Sequence, residues 1–303
     1  MSQSTKEWKI KPNDKVQRID LFLQSSTNQT RSYLQKLIKE GFVFVNGNIV
    51  KPNYIIKIND HIVINEPTKV NHALKPVNLD LEIVYEDEFF AVINKPKNII
   101  VHPSDSFQET TLINGLLYQF EQLSNQNEPY RQGIVHRLDK DTTGLMIICK
   151  DDLTHEKLKR MFQNRKIEKF YLAIVYHEFK ELSGQINQAI IRHPKWRQQM
   201  TTSPSGRTAI TKYQVINQNN GFAYLELNLI TGRTHQIRVH LKAINHPILG
   251  DPIYGPKKVY KNNGPYLHSH RLVFNHPITK KKLDISIEPP IEFMEELIIR
   301  QLV

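Results

Sequence analysis

The densest run of reactive side chains is His136-Arg137-Leu138-Asp139-Lys140-Asp141-Thr142-Thr143. Apolar residues at 134–135 and 145–149 bracket it, and Gly133 and Gly144 bound it as a loop. A core rarely presents His, Arg, two Asp and two Thr so close together unless they are partnered. One reading is a salt-bridged turn beside a strand. The other is a positioned carboxylate able to act as base, nucleophile or electrostatic stabiliser. The second gains weight from two segments that look built to meet the loop. In Thr231-Gly232-Arg233-Thr234-His235-Gln236-Ile237-Arg238-Val239-His240-Leu241, His235, Arg238 and Lys242 fall on one helical face. Arg238 lies between Ile237 and Val239, so its stem should be packed and its guanidinium held. A held guanidinium needs an anion, and Asp139 is the expected partner, the pairing favouring the charged carboxylate. Arg233 and the free N–H groups at the helix start are expected to take a phosphate. In Lys169-Phe170-Tyr171-Leu172-Ala173, alternation puts Tyr171, Ala173 and Val175 on one strand face, and Phe170, Leu172 and Ile174 on the other. Tyr171 is thus either core or the aromatic floor of a pocket.

The elements that must position these groups change character along the chain. Residues 16–65 read as a small unit of two helices and a hairpin. Val16, Ile19 and Leu23 recur at helical spacing, as do Tyr33, Leu34, Leu37 and Ile38. Thr30 is the expected N-cap of the second helix and Gly41 its C′ stop. Asn46-Gly47 predicts a tight hairpin, and Asn59-Asp60 a further turn. Residues 66–76, with Pro67 and Pro76, show no periodicity and read as a linker. From Leu79 onward many strands alternate with a few helices, the helices falling at 111–120, 152–163, from 231 to about 244, and 292–302. Residues 194–207 are polar, with no apolar period. Without regular βαβ alternation, the fold class is α+β around a largely antiparallel mixed sheet.

Composition narrows the partner. The chain has 303 residues, 41 of them basic and 30 acidic, for a net charge of +11. That points to a polyanion, nucleic acid before membrane. No apolar run approaches the ~18 residues that would cross a bilayer, and residues 1–15 hold no apolar signal core. The expected location is the cytoplasm. A single cysteine, Cys149, excludes an internal disulfide and a cysteine-based zinc site. It sits in an apolar strand and is expected to be inert.

Two resemblances sharpen this reading. Arg18-Ile19-Asp20, Thr30-Arg31-Ser32, Leu37-Ile38-Lys39-Glu40-Gly41 and Val43-Phe44-Val45-Asn46-Gly47 resemble the S4 RNA-binding module. Arg18, Arg31, Lys36, Lys39 and Lys51 would then supply a phosphate-reading face. The three segments above resemble the RluA-type pseudouridine synthases. So do Asn94-Lys95-Pro96, Val101-His102-Pro103 and His246-Pro247-Ile248-Leu249-Gly250-Asp251-Pro252-Ile253-Tyr254-Gly255. Thr143 stands where Ser is commoner in that family and Ser269 where Ala is usual; neither is expected to touch the chemistry. The implied organisation is an S4-like domain at 14–66, a linker at 67–76 and a catalytic domain at 77–303.

The resemblance implies roles. Asp139 would be the catalytic carboxylate in isomerising uridine within RNA. Tyr171 would stack on the target base and assist at C5. Arg238 would pair with Asp139, and Arg137 would help hold the base out of its helix. The reaction is redox-neutral, so no cofactor or metal is implied. The expected partner is structured RNA, ribosomal before transfer RNA, met by a monomer away from membranes. Two rivals remain. Asp139-Lys140-Asp141-Thr142-Thr143 matches the Asp-x-Asp-x-Thr signature of magnesium-dependent aspartyl-phosphate phosphatases, but no downstream strand ends in an acidic pair. A binding module with a decayed catalytic domain is opposed by the intact Asp139, Tyr171 and Arg238. Metal binding by His235, His240, His268 or His270 is less expected than hydrogen-bonded histidines.

Overall fold

The computed structural model describes residues 5–27, 29, 31–65, 74–103, 109–125, 130–256, 260 and 264–303. The chain divides into two compact units, 1–73 and 74–303.

In the first unit, strand β1 (Thr5–Lys9) is followed by helices α1 (Ile19–Ser26) and α2 (Arg31–Lys39) and strands β2 (Val43–Val45), β3 (Asn48–Ile49) and β4 (His61–Asn65). The sheet order is β1-β4-β2-β3. Ile19, Leu23, Leu34, Leu37 and Ile38 are buried in one core with Val43, Val45, Ile62 and Ile64. Val16 does not join them; it precedes α1 and is exposed. Gly41, at φ +80°, ends α2 in the left-handed conformation expected of a C′ glycine. Asn46 and Gly47 both have positive φ, the requirement of a type I′ hairpin, and Asn59 takes φ +68° in its turn. Thr30 and most of the expected linker lie outside the described residues. β1 was not foreseen: Lys6, Glu7 and Lys9 make it look like solvated chain, yet it pairs with β4 in full register.

The second unit contains β5 (Glu82–Glu86), β6 (Phe90–Lys95), α3 (Leu112–Gln119), β7 (Thr143–Cys149), α4 (Asp152–Gln163) and β8 (Ile167–Tyr176). Then follow β9 (Ser183–Asn187), β10 (Ile190–Arg192), β11 (Met200–Thr202), β12 (Ile210–Asn219), β13 (Phe222–Leu229) and α5 (Gln236–Ala243). The last elements are β14 (Leu267–Asn275), β15 (Lys282–Ser286) and α6 (Ile291–Ile299). The main sheet runs β5-β6-β7-β14-β8-β13-β12-β9, with β15 also on β14. β7 with β14 is its parallel pairing; the others are antiparallel. This is the α+β class expected. β10 pairs with β11, and β11 lies inside the 194–207 stretch that reads as polar with no apolar period.

Period-two alternation decides what each central strand covers. Along β7, Leu145, Ile147 and Cys149 join a cluster with Leu158 of α4, while Met146 and Ile148 join another with Leu112, Ile113 and Leu116 of α3. Each is fully buried, so Ile147→Ala should cost about 2–5 kcal/mol. Along β8, Tyr171, Ala173 and Val175 pack with Ile237 and Leu241 of α5, and Leu172 and Ile174 with Phe293 and Leu297 of α6. The helices are anchored locally: Thr111 and Asn114 form a capping box on α3, and Asp151 accepts the Thr154 amide at the start of α4. Burial, with Asp151 nearby, pushes the Cys149 thiol far above its usual pKa, consistent with an inert cysteine.

Candidate active site

Asp139 sits in the loop that climbs into β7. Leu138 behind it is buried in the cluster of Tyr171 and Ile237, which fixes the loop to the core. Lys95, at the end of β6, is fully buried and donates from Nζ to the carbonyls of Pro96, Lys140 and Thr142 at 2.8, 2.9 and 3.1 Å. Burial pulls its pKa down to about 7 against the pull of Asp141 and Asp139; three carbonyl acceptors call for all three protons of the ammonium. His136 is held from the other side. Its Nε2 accepts the Ile147 amide at 2.9 Å, and burial, aided by Lys169, lowers its pKa to about 3. It is therefore a neutral acceptor. Gly144 has φ +112°, and a Cβ there would meet the Ser269 carbonyl oxygen at 2.3 Å. Only glycine lets β7 and β14 meet here, which sets the Asp139 loop beside Tyr171's neighbour on β14.

Arg238 does meet Asp139, but differently from the expectation. Its fork closes on Asp251: Nε donates to Oδ2 at 2.6 Å and Nη2 to Oδ1 at 2.9 Å. Only Nη1 reaches Asp139, at 3.3 Å. Burial opposes the Arg238 charge, but Asp251 and then Asp139 outweigh it and raise its pKa further above the usual range. Asp251 has a fully buried side chain and also accepts the Ile253 and Tyr254 amides. Asp251 thus orients the arginine, and Asp139, with a side chain 21% exposed, lines the cavity.

His235 completes the constellation. It takes a left-handed conformation, φ +55°, as the residue that precedes α5. Histidine there costs on the order of 1 kcal/mol, and the bend places Nε2 3.9 Å from Asp139 Oδ2. Nδ1 lies 2.8 Å from the Tyr254 hydroxyl, which already accepts the Met200 amide. This contact fixes the orientation of the ring, with Nε2 turned toward Asp139. Burial, opposed by Asp139, lowers the His235 pKa.

Tyr171 lines the cavity and is also buried in the core cluster, so both open readings hold at once. Burial raises its pKa to about 12, with Ser269 lowering it and Asp139 adding to the rise. Ser269 is fixed opposite Tyr171 in the β14–β8 register, and its hydroxyl donates to the Leu145 carbonyl. The cavity, about 470 Å³, runs from Asp139 past Tyr171 and Arg233 to Phe162, Arg165 and Lys169.

The remaining expected residues fall as follows. Arg137 is exposed on the cavity wall, its Nη1 3.2 Å from His102 Nε2. Arg233 also lines the cavity, but the helix behind it starts later than expected, at Gln236. The Arg233 amide is not free: it donates to Gln236 Oε1 at 3.0 Å, and Arg233 Nε donates to the Thr208 carbonyl. In the first unit, Arg18 and Arg31 both close on the buried Asp20, with about two-fifths of each side chain exposed. Lys39 and Lys51 are exposed, and Lys36 lies on α2. His240 and His270 are hydrogen-bonded through Thr211, Gln188 and Glu226, and His268 meets Thr143. Among the described residues no three metal-ligating side chains converge, and no helix is long and apolar enough to cross a membrane. Sequence reasoning placed Asp251 and Tyr254 in a family-like segment but gave neither a part in the site. The available signal for Asp251 was a lone acid between Gly250 and Pro252 opposite a packed arginine.

A cation-walled cavity holding one open carboxylate, in a chain with a second, small basic unit, defines an enzyme that acts on a polyanion. The chain matches the RNA pseudouridylate synthase family over residues 89–243 and the S4 domain over residues 17–62. It is 41% identical over 287 residues to an uncharacterized RNA pseudouridine synthase of Bacillus subtilis, with 94% of each chain covered. It is 37% identical to the ribosomal large subunit pseudouridine synthase D of Pasteurella multocida, covering 97% of this chain and 94% of that one. The structure of human RNA pseudouridylate synthase domain containing 4 superposes with a TM-score of 0.59 at 26% identity, covering 73% of this chain and 94% of that one. The chain belongs to the RNA pseudouridylate synthase family: it is an RNA pseudouridine synthase with an N-terminal S4 domain.

Proposed function

We propose that this synthase converts specific uridines of large-subunit ribosomal RNA to pseudouridine, with Asp139 as the essential carboxylate. The observation that carries the catalytic part is the unequal sharing of Arg238: its fork is committed to Asp251, and Asp139 takes one longer bond and stays partly exposed on the cavity. The RNA class is supported by the relatives, among which synthases D of Pasteurella multocida and Pseudomonas aeruginosa are named for the ribosomal large subunit, at 37% and 35% identity.

In the reaction the N1–C1′ bond breaks, the uracil turns, C5 bonds to C1′, and the C5 proton leaves as N1 gains one. An ionised Asp139 serves this by bonding to C1′ or by stabilising a cationic sugar and taking the proton. Arg238 positions it, and His235 Nε2 lies 3.9 Å from the same oxygen. Tyr171, a neutral phenol with a pKa near 12, is better suited to stacking on the base than to removing a proton as phenolate. Arg137, exposed on the wall, fills the space that an extruded base leaves. Arg233 meets backbone phosphate, as do Arg18, Arg31, Lys36, Lys39 and Lys51 on the S4 unit.

Pseudouridine mapping of all cellular RNA with and without the gene tests the reading. Loss of one or more large-subunit sites is expected, restored by the wild-type gene and not by Asp139→Asn. An unchanged map would refute the function, and loss confined to transfer RNA would refute the ribosomal assignment.

A further inference from the structure

The cavity has an arm that the chemistry at Asp139 does not use. On β8, Lys169 shares the inward face with Ile167 and Tyr171. It is 8% exposed and lines the cavity. A lysine so buried is normally paired, yet Lys169 has no ion pair and no hydrogen bond among the described residues. Its one directed contact is the Phe162 ring, with Nζ 5.7 Å from the centroid. The charged group acting on it is another cation, Arg165, which together with burial lowers its pKa to about 8. Arg165 lines the same arm, also without an ion pair among the described residues, and holds a left-handed φ of +56° at the end of α4. His136, beside them, is neutral and accepts a backbone amide, so it brings no negative charge.

Lys169 is a buried cation with no counter-charge among the described residues, which folding alone disfavours, and the exposed Arg165 beside it adds a second positive charge. A uracil carbonyl would occupy one donor and leave the charge unbalanced. A phosphodiester would balance it, with oxygens for both side chains. We propose that Lys169, with Arg165, forms a phosphate subsite that holds a backbone phosphate of the RNA strand adjoining the target uridine. The inference rests on RNA as substrate and adds where that RNA is gripped beyond the reacting nucleotide. Tyr171, two residues from Lys169 on the same face, links the two: the strand that seats the phosphate is the strand that presents Tyr171 to the base.

The test uses the full-length protein and a short labelled oligouridylate, with each phosphodiester replaced in turn by a neutral methylphosphonate. For the wild type, neutralising one particular linkage should weaken binding roughly ten- to hundredfold, the scale of a charge-assisted contact. In Lys169→Met the same replacement should cost nothing further, and log affinity against log salt should be shallower by about 0.7. Lys169→Arg should keep the linkage sensitivity. Because Lys169→Met removes an unpaired buried charge, its melting temperature should rise while binding falls; a purely structural lysine would show the reverse. The proposal is overturned if Lys169→Met keeps the wild-type penalty at every linkage, or binds as tightly with the same salt slope. A wild type that modifies no ribosomal RNA would sink the function above and leave this coupling measurable, so the two fail separately.

Discussion

Asp20 in the S4 unit and Asp139 in the catalytic unit are both aspartates facing arginine, and they are built to opposite ends. Asp20 is fully buried and accepts from Arg18, Arg31 and Gln35. Burial would raise its pKa, but those bonds win and lower it. Asp139 receives one long bond from Arg238, whose better bonds go to Asp251, and it remains partly exposed. A carboxylate that holds a fold together is saturated. The carboxylate proposed for the chemistry is left partly exposed, and a second carboxylate holds its arginine. The difference between Asp20 and Asp139 is the one that a scaffold role for the first and the proposed catalytic role for the second call for.

The largest test of that contrast is Asp139→Asn. It keeps the shape and removes the charge, and Arg238 stays fixed by Asp251, so the fold and RNA binding should survive. Turnover should fall by more than the ~10²–10⁴-fold attributed to a single general base. Single-turnover assays on ribosomal RNA would check this, and activity above a tenth of wild type would remove Asp139 from its role.

Arg238→Lys should come next. One ammonium cannot close a fork on Asp251 and also reach Asp139. The Asp139 loop should lose its register, and a misplacement on the order of 1 Å can cost ~10²-fold. Asp251→Asn should show a related loss through the same arginine, since Asp251 orients it. If Asp251→Asn keeps wild-type rates while Arg238→Lys does not, Arg238 acts without needing to be held.

How far this arrangement was legible depended on how local its cause is. The continuous apolar run of β7, the alternation of β8, the Asn46-Gly47 hairpin and the C′ role of Gly41 follow from a few adjacent residues, and the sequence predicts each. Asp139 and Arg238 were readable as a pair because a packed arginine demands an anion. Asp251 was not, because which of two carboxylates takes the fork depends on how the chain returns beneath α5. The late start of α5 has a similar origin: the Gln236 side chain ties Thr231 and Arg233 into a loop, and His235 bends left-handed. The strand β1 was hidden because an edge strand rich in lysine looks the same as solvated chain.

Asp20→Asn should act on stability instead of rate. The loss should be about 2 kcal/mol from charged hydrogen bonds, confined to the S4 unit. Trp8 packs against that unit's core and on Phe22, so its fluorescence in a Trp196→Phe background would follow the unit's unfolding. The pH dependence has a definite sign. The folded pKa of Asp20 lies below 3.8, so its contribution is full above that value and fades as pH falls through the folded pKa. Asn at this position should abolish that acid-sensitive portion. An unchanged acid limb would mean that Asp20 is not what ties Arg18 and Arg31 down.

The smallest expected effect on chemistry comes from deleting the S4 unit. Residues 74–303 carry their own apolar clusters under α3, α4, α5 and α6, and Asp139, Tyr171, Arg238 and Asp251 all belong to this unit. A chain beginning at Asn71 should therefore fold and, at saturating RNA, isomerise at close to the wild-type single-turnover rate. What should change is affinity and its salt dependence. Each phosphate that the shortened protein no longer neutralises should flatten the slope of log affinity on log salt by roughly 0.7–0.9. Arg18 and Arg31 are already partly neutralised by Asp20, so the flattening should come mainly from the exposed Lys39 and Lys51, and Lys39→Gln with Lys51→Gln should reproduce most of it. An unchanged slope in the truncated chain would remove the S4 unit from phosphate reading. Loss of chemistry at saturation would instead mean that the S4 unit positions the target uridine, which would end the division between a unit that holds RNA and a unit that reacts with it.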